Sequence, residues 1–260
     1  MEFTDTHVHI YDEAFGADLI DVIRRTKEAS VFKIIMPGID SSVHEDMIMC
    51  AERFNGFAFP AIGLHPTSVK ANWKDELDFV AKNIDLYPFV AVGEIGIDGY
   101  WSKEYLQEQK IVFKEQLLMA SKRDLPVIIH QRDSLDEIFS VLDQIQDSGI
   151  RNLKGVFHAY SGSFETYQRI KRYGDFKIGI GGVITFKNAH IARTIEDIPL
   201  EDILLETDAP WLAPAPYRGQ RNESSYIPII AQKIAQIKRV ELEDVARITT
   251  SNACTLFNLI

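Results

Sequence analysis

The sequence predicts an α/β fold, a TIM-type (β/α)8 barrel, and three observations predict it. Eight short apolar runs alternate with longer segments of helical spacing along the whole chain. The runs are near-continuously apolar, as strands of a parallel sheet buried on both faces are. The length, 260 residues, matches the roughly 250 residues of a typical barrel. No Gly/Ser/Pro-rich linker or low-complexity stretch divides the chain, so one domain over residues 1–260 is expected. An open doubly wound sheet is the competing architecture, but no Gly-rich dinucleotide turn follows the first apolar run.

Taken in order, the β-rich runs cover residues 2–10, 33–39, 56–64, 89–97, 126–130, 153–160, 176–185 and 203–206. Helical spacing appears at 12–29, 42–54, 72–84, 104–123, 135–148, 164–173 and 189–195, with two further helices at 225–239 and 242–256 closing the chain. Segment 104–123 shows the pattern well: Leu106, Ile111, Phe113, Leu117, Leu118 and Ala120 are expected to form a broad buried face.

Composition limits the function. The chain is 46% hydrophobic and 25% charged, which is ordinary globular usage. Its formal net charge is −10 and its pI about 5.2, so a polyanionic substrate must be held by a local basic patch or by metals. Cys50 and Cys254 form no C-x-x-C pair and no disulfide framework, which points to a reducing, cytoplasmic setting. The N-terminus MEFTDTHVHI lacks a basic leader, and no apolar run approaches the ~20 residues that span a bilayer. No membrane association and no obligate protein partner are expected.

The chemistry lies in where the ligating side chains fall. His7 and His9, two apart, end the first run on one side of it. Glu94 lies late in the fourth, His130 ends the fifth, His158 follows GVF in the sixth, and Asp208 follows the eighth in ETDAP. Strand C-termini of a barrel share one mouth, so these six residues are expected to meet there. Imidazoles and carboxylates suit zinc, manganese or similar divalent ions. Singly, each has a plainer reading: a polar strand edge for the His-x-His pair, a structural carboxylate for Glu94, hydrogen-bonded core histidines for His130 and His158. Their shared position favours a metal site. His65, in GLHP after the third run, either lines the mouth against substrate or belongs to a simple turn at Pro66. His44 and His190 sit in helical stretches and read as surface residues.

With these residues in view, the sequence resembles the TatD family of metal-dependent deoxyribonucleases, within the amidohydrolase-like metallohydrolase superfamily. The matching stretches run nearly end to end: DTHVH at 5–9, GLHP at 63–66, VGEIGID at 92–98, PVIIHQRD at 126–133 and FHAYSGS at 157–163. GIGGVITFKNA at 179–189, LLETDAPWLAPAPYRGQRN at 204–222 and NACTLF at 252–257 continue them. The resemblance implies two divalent cations held by His7, His9, Glu94, His130, His158 and Asp208, with Glu94 as the bridging carboxylate. Two local departures concern the substrate wall and spare the implied ligands. The chain reads Ile97-Asp98-Gly99-Tyr100-Trp101 where the family commonly places an aromatic pair directly after GLD. It reads His158-Ala159-Tyr160-Ser161-Gly162 where HCFSG is common.

The expected activity is hydrolysis of DNA, exonuclease-like on single-stranded or frayed ends. Two cations there would acidify a water and offset charge on a phosphodiester, with Asp208 orienting the water or accepting its proton. Glu206, two residues earlier, is either an outer orienter or auxiliary ligand, or a barrel ion-pair partner. Arg132, Arg218 and Arg221 are candidate phosphate contacts, though loop anchoring through backbone carbonyls is the plainer role for arginines there. Tyr100 and Trp101 are candidate stacking platforms, or packing for their own loop. The same site could instead serve a small ester, amide or lactone, or an aminoacyl ester on tRNA. Outside enzymes, a metal-loaded nucleic-acid binding protein is the alternative.

Overall fold

A computed structural model describes residues 1–259, in which strands and helices alternate as the pattern predicts. The strands are β1 (Phe3–Asp5), β2 (Val31–Pro37), β3 (Ala58–Ala61), β4 (Val92–Asp98), β5 (Val127–Arg132), β6 (Lys154–Phe157), β7 (Asp175–Ile180) and β8 (Ile203–Leu205). The helices are α1 (Leu19–Glu28), α2 (His44–Arg53), α3 (Trp73–Asn83), α4 (Leu106–Lys122), α5 (Leu135–Asp147), α6 (Phe164–Ile170), α7 (Ile191–Asp197), α8 (Ile227–Lys238) and α9 (Leu242–Phe257).

Every strand pairing is parallel and follows chain order, in two runs, β1-β2-β3 and β4-β5-β6-β7-β8. Isolated bridges join the runs at both seams. Ile62 meets Val92, with Gly93 N–H donating to Ile62 O at 2.9 Å. Val8 meets Ala209, and Thr6 N–H and His9 N–H donate to Leu205 O and Ala209 O at 3.0 and 2.8 Å. The arrangement is therefore barrel-type, with a thin seam on either side of the three-stranded run. Its interior confirms the topology. Ile35, Ala61, Ile128, Val156 and Leu204, from five different strands, and Ala91, just before β4, form one buried cluster. Leu256, Phe257 and Leu259 plug that cluster from the end of α9.

Two expected boundaries move for identifiable reasons. The first ladder stops at Asp5, because beyond it the backbone is shared between Ile35 O on one side and Ala209 O on the other. The helix expected from residue 12 starts at Leu19, because the Asp12 carboxylate accepts from Ala14 N–H and closes a tight turn over Glu13–Phe15. Only one glycine needs emphasis: at Gly96, with φ of 144°, a Cβ would lie 2.0 Å from His130 O, so only glycine lets β4 pass β5 beside the site. Helix α4 buries two glutamines. Gln116 grips both the N–H and C=O of Leu64, and Gln109 accepts from Asp98 N–H at 2.9 Å. The loop carrying His65 and the end of β4 are thus fixed by a helix whose apolar face alone would not have placed them. Among the described residues no helix is long and apolar enough to cross a membrane.

Candidate metal centre

At the C-terminal ends of the strands, His7, His9, His65, Glu94, His130, His158 and Asp208 converge. Three overlapping groups, His7–Glu94–His158, His7–His9–Asp208 and His65–Glu94–His130, each bring their donor atoms within 4.8 Å of one another. Glu94 is at the centre and 2% exposed. Its two oxygens face different imidazoles. Oε2 is 3.1 Å from His7 Nε2 and 3.8 Å from His9 Nε2, while Oε1 is 2.7 Å from His130 Nδ1 and 2.8 Å from His158 Nε2. Asp208 Oδ1 lies 3.6 and 3.7 Å from the Nε2 atoms of His7 and His9. Asp208 is held at φ 57°, a left-handed conformation that aspartate tolerates better than most residues.

Hydrogen bonds behind the imidazoles decide which nitrogen faces inward. Tyr11 donates its hydroxyl to Pro37 O, so it accepts from His9 Nδ1–H, and His9 presents the Nε2 lone pair to the centre. His130 Nε2–H donates to Asp98 Oδ2 at 3.0 Å, which leaves Nδ1 inward. His65 differs. Its Nδ1 accepts from Thr67 N–H at 3.2 Å, so a neutral His65 carries its proton on Nε2 and donates to Glu94 Oε1, also 3.2 Å away. His65 therefore reaches the centre as a donor, although proximity alone groups it with the ligands. The Nδ1 atoms of His7 and His158 are buried without partners, and their rings stack at 4.0 Å.

The electrostatics favour a cation directly at His7 and His9, whereas at His130 and His158 a cation would have to displace protons that Glu94 holds on the imidazoles. Burial, with His158 alongside, lowers His7 to about 4 and takes His9 well below the usual imidazole range, so both offer lone pairs at neutral pH. Burial alone would raise Glu94, but His158, His65, His7 and the hydrogen bond from His130 hold it well below the usual carboxylate range. Burial works against a charged His158, yet Glu94 outweighs it and lifts His158 to about 10. Burial raises Asp208 to about 7 and Glu206 to about 8. Imidazole nitrogens and carboxylate oxygens around one buried anion are a donor set that fits a divalent cation.

The other candidates fall in different places. Above the centre opens a cavity of about 760 Å³, whose wall includes Arg132, Trp101, Trp211 and Leu212. Arg132 lies over the rings of Tyr100 and Trp101, at 3.8 and 5.3 Å from their centroids. Tyr100 thus supports the guanidinium and does not itself line the cavity. Glu206 is buried beside the centre, where Oε1 accepts from Ala159 N–H and stands 3.8 Å from His158 Nδ1. It belongs to none of the donor groups. Arg218 lies over the Phe186 ring and lines a neighbouring cavity.

Arg221 is a correction to the phosphate reading. Its guanidinium donates to both oxygens of Asp18, to Ala14 O and to Glu223, so its forks are already filled. Arg221→Ala is therefore expected to cost about 1 kcal/mol of stability and leave turnover unchanged. The hydrogen bonds from Arg221 and Arg25 hold Asp18 down to about 2. Asp18's contribution is thus present above the unfolded value near ~3.9, fades as pH falls below it, and is gone by the folded value. Denaturant melts at pH 7 and pH 3 should show the gap between wild type and variant narrowing in acid.

Three supporting residues escaped the sequence reading although a signal existed. Asp5 and Tyr11 extend the alternation of His7 and His9, and Asp98 extends that of Glu94 and Gly96, so all three share the ligand-bearing side. Trp211 had none: it follows Pro210 in a loop, and only the fold brings its ring to 5.1 Å from His9.

A barrel-type fold with such a centre at its mouth defines a class, the metal-dependent hydrolases. The family model described as TatD related DNase matches residues 4–258, and the chain belongs to that family. It is 35% identical over 98% of both chains to the uncharacterized metal-dependent hydrolase YabD of Bacillus subtilis. It is 31% identical to human deoxyribonuclease TATDN3, over 97% of this chain and 93% of that protein. The crystal structure of the TatD homologue YJJV from Escherichia coli superposes with a TM-score of 0.90 at 30% identity, covering 98% of each chain.

Proposed function

We propose that the chain is a divalent-cation-dependent phosphodiester hydrolase that trims single-stranded or frayed ends of DNA, acting as one domain over residues 1–260 in the cytoplasm. The observation that carries this reading is the division of Glu94. With Oε2 toward His7 and His9 and Oε1 toward His130 and His158, Glu94 is placed so that two cations would share it, and Asp208 would join His7 and His9 in holding one of them. Zinc, manganese and magnesium all match the donors. Cations held there supply Lewis acidity that acidifies water and offsets charge on a phosphodiester.

The chain's own groups do the rest. Asp208, whose side chain is 18% exposed against 3% for Glu94, faces the cavity and orients or accepts a proton from the attacking water at Oδ1. His65 donates from Nε2 and fixes Glu94. Arg132, stacked on Tyr100 and lining the cavity, presents its guanidinium edge to a phosphate. Trp101 and Trp211, 70% and 49% exposed at the rim, offer flat faces on which bases stack. A mouth at one end of a barrel admits a strand end more readily than duplex interior.

The test is cleavage of end-labelled single-stranded DNA by chelator-stripped protein re-supplied with magnesium, manganese or zinc. Stepwise shortening that requires one of these ions is expected. Internal cuts alone would reject the exonuclease mode. No cleavage by protein shown to bind two ions would move the assignment to a small ester or lactone.

A further inference from the structure

Three cavities lie side by side at the mouth. The central one, of about 760 Å³, shares Asp208 and Leu212 with a second of about 260 Å³, walled mainly by apolar side chains such as Ile180 and Ile184. The second shares Ser161, Val183 and Ile191 with a third, of about 450 Å³, between the loops that follow β7 and β8. The third carries Lys187, His190 and Arg218. Among the described residues, none of these three has a carboxylate within 4.0 Å, whereas Arg25, Arg123, Lys171, Lys177 and Arg221 are all paired. On a chain with 38 acidic and 28 basic residues, two unpaired cations, Lys187 and Arg218, around one cavity with no carboxylate in its lining are a local reversal of charge. Arg218 is also pre-oriented, its guanidinium lying 4.6 Å from the Phe186 ring centroid, so stacking holds the plane while its N–H groups make no hydrogen bond among the described residues.

We propose that this third cavity is a second phosphate subsite, holding the phosphate next along the strand from the one hydrolysed. The proposal rests on the phosphodiesterase reading above. A strand that leaves the centre past Asp208 crosses the apolar cavity, which receives a sugar or base, and arrives at Lys187 and Arg218. A second anchor of this kind holds a strand end in register, which the cations alone, gripping one phosphate, do not do. It also separates two arginines three residues apart: Arg221 braces the loop, and Arg218 faces the substrate.

The experiment uses the full chain and a short, dye-labelled phosphorothioate DNA strand, with affinity read by fluorescence anisotropy across a salt series. Lys187→Ala/Arg218→Ala is expected to weaken binding about 10-fold or more, and to lower the magnitude of the slope of log K against log salt by ~0.7 for the one phosphate no longer neutralised. Both side chains are exposed, so the variant keeps its fold. Hydrolysis of bis(p-nitrophenyl) phosphate, too short to reach the cavity, is expected to be unchanged. Unaltered affinity and slope would overturn the proposal. An equal loss in Lys233→Ala/Arg239→Ala, which removes the same charge elsewhere, would overturn it too. If wild type hydrolyses no phosphodiester with any ion, the phosphodiesterase reading fails, while the anisotropy comparison still decides the cavity.

Discussion

Glu94→Ala is expected to reduce hydrolysis by roughly 10³-fold or more and to abolish two-ion binding, with the fold retained. The argument is geometric. Glu94 is the one side chain that faces both halves of the imidazole set, with His7 and His9 toward one oxygen and His130 and His158 toward the other. Removing it leaves two sets of imidazoles, one with Asp208, without the shared anion that would offset two dications. Asp208→Ala should cost similar activity with a smaller loss of metal, because Asp208 stands beside one half only. Asp98→Asn provides the graded control. Asp98 touches the centre only through His130 Nε2, so a loss of about 10–100-fold in metal affinity is expected. Calorimetric titration of the stripped variants with zinc or manganese gives stoichiometry and affinity separately from turnover. Two ions bound with wild-type affinity in Glu94→Ala would refute the assignment.

The largest effect on stability is expected from Asp5→Ala. Asp5 is wholly buried and accepts four hydrogen bonds: from His7 N–H at 3.2 Å, Thr207 N–H at 3.0 Å, and the hydroxyls of Thr207 and Ser224 at 2.6 Å each. These donors come from three parts of the chain, the end of β1, the turn after β8 and the turn before α8. Asp5 therefore ties down the thin seam where Val8 and Ala209 form only an isolated bridge. Alanine strands all four donors in a site sealed from water, and a loss of about 3–5 kcal/mol follows. His7 and Asp208 flank the same junction, so metal affinity should fall with stability. Urea denaturation, followed by far-ultraviolet circular dichroism, measures the first effect. A midpoint equal to that of wild type would show that the hydroxyls and amides find other partners.

How much of this was legible in the sequence depends on the range of the cause. Near-continuous apolar runs and helical spacing are local consequences of burial on both faces of a parallel sheet, and they predicted eight strands in the right order, each overlapping an observed strand though the first and seventh are shorter than expected. The positions of His7, His9, Glu94, His130, His158 and Asp208 late in or just after those strands were equally local. Parallel pairing then leaves their convergence little freedom, because every strand C-terminus points to the same end.

What only the tertiary structure decided involves partners far apart in the chain. Arg218 and Arg221 look equivalent in a Pro-rich loop, yet Asp18, about 200 residues away, captures one and leaves the other free. In sequence His65 reads as a mouth residue or as part of a turn at Pro66, and only the fold shows it donating from Nε2 to Glu94, with Thr67 N–H on its Nδ1. Nothing in the spacing of residues 104–123 singles out Gln109 and Gln116, whose amides grip the backbone at Asp98 and Leu64. The division follows from the physics. Apolar burial is non-directional and leaves a periodic trace in sequence, whereas hydrogen bonds and ion pairs depend on sub-ångström placement of groups that sequence spacing does not relate.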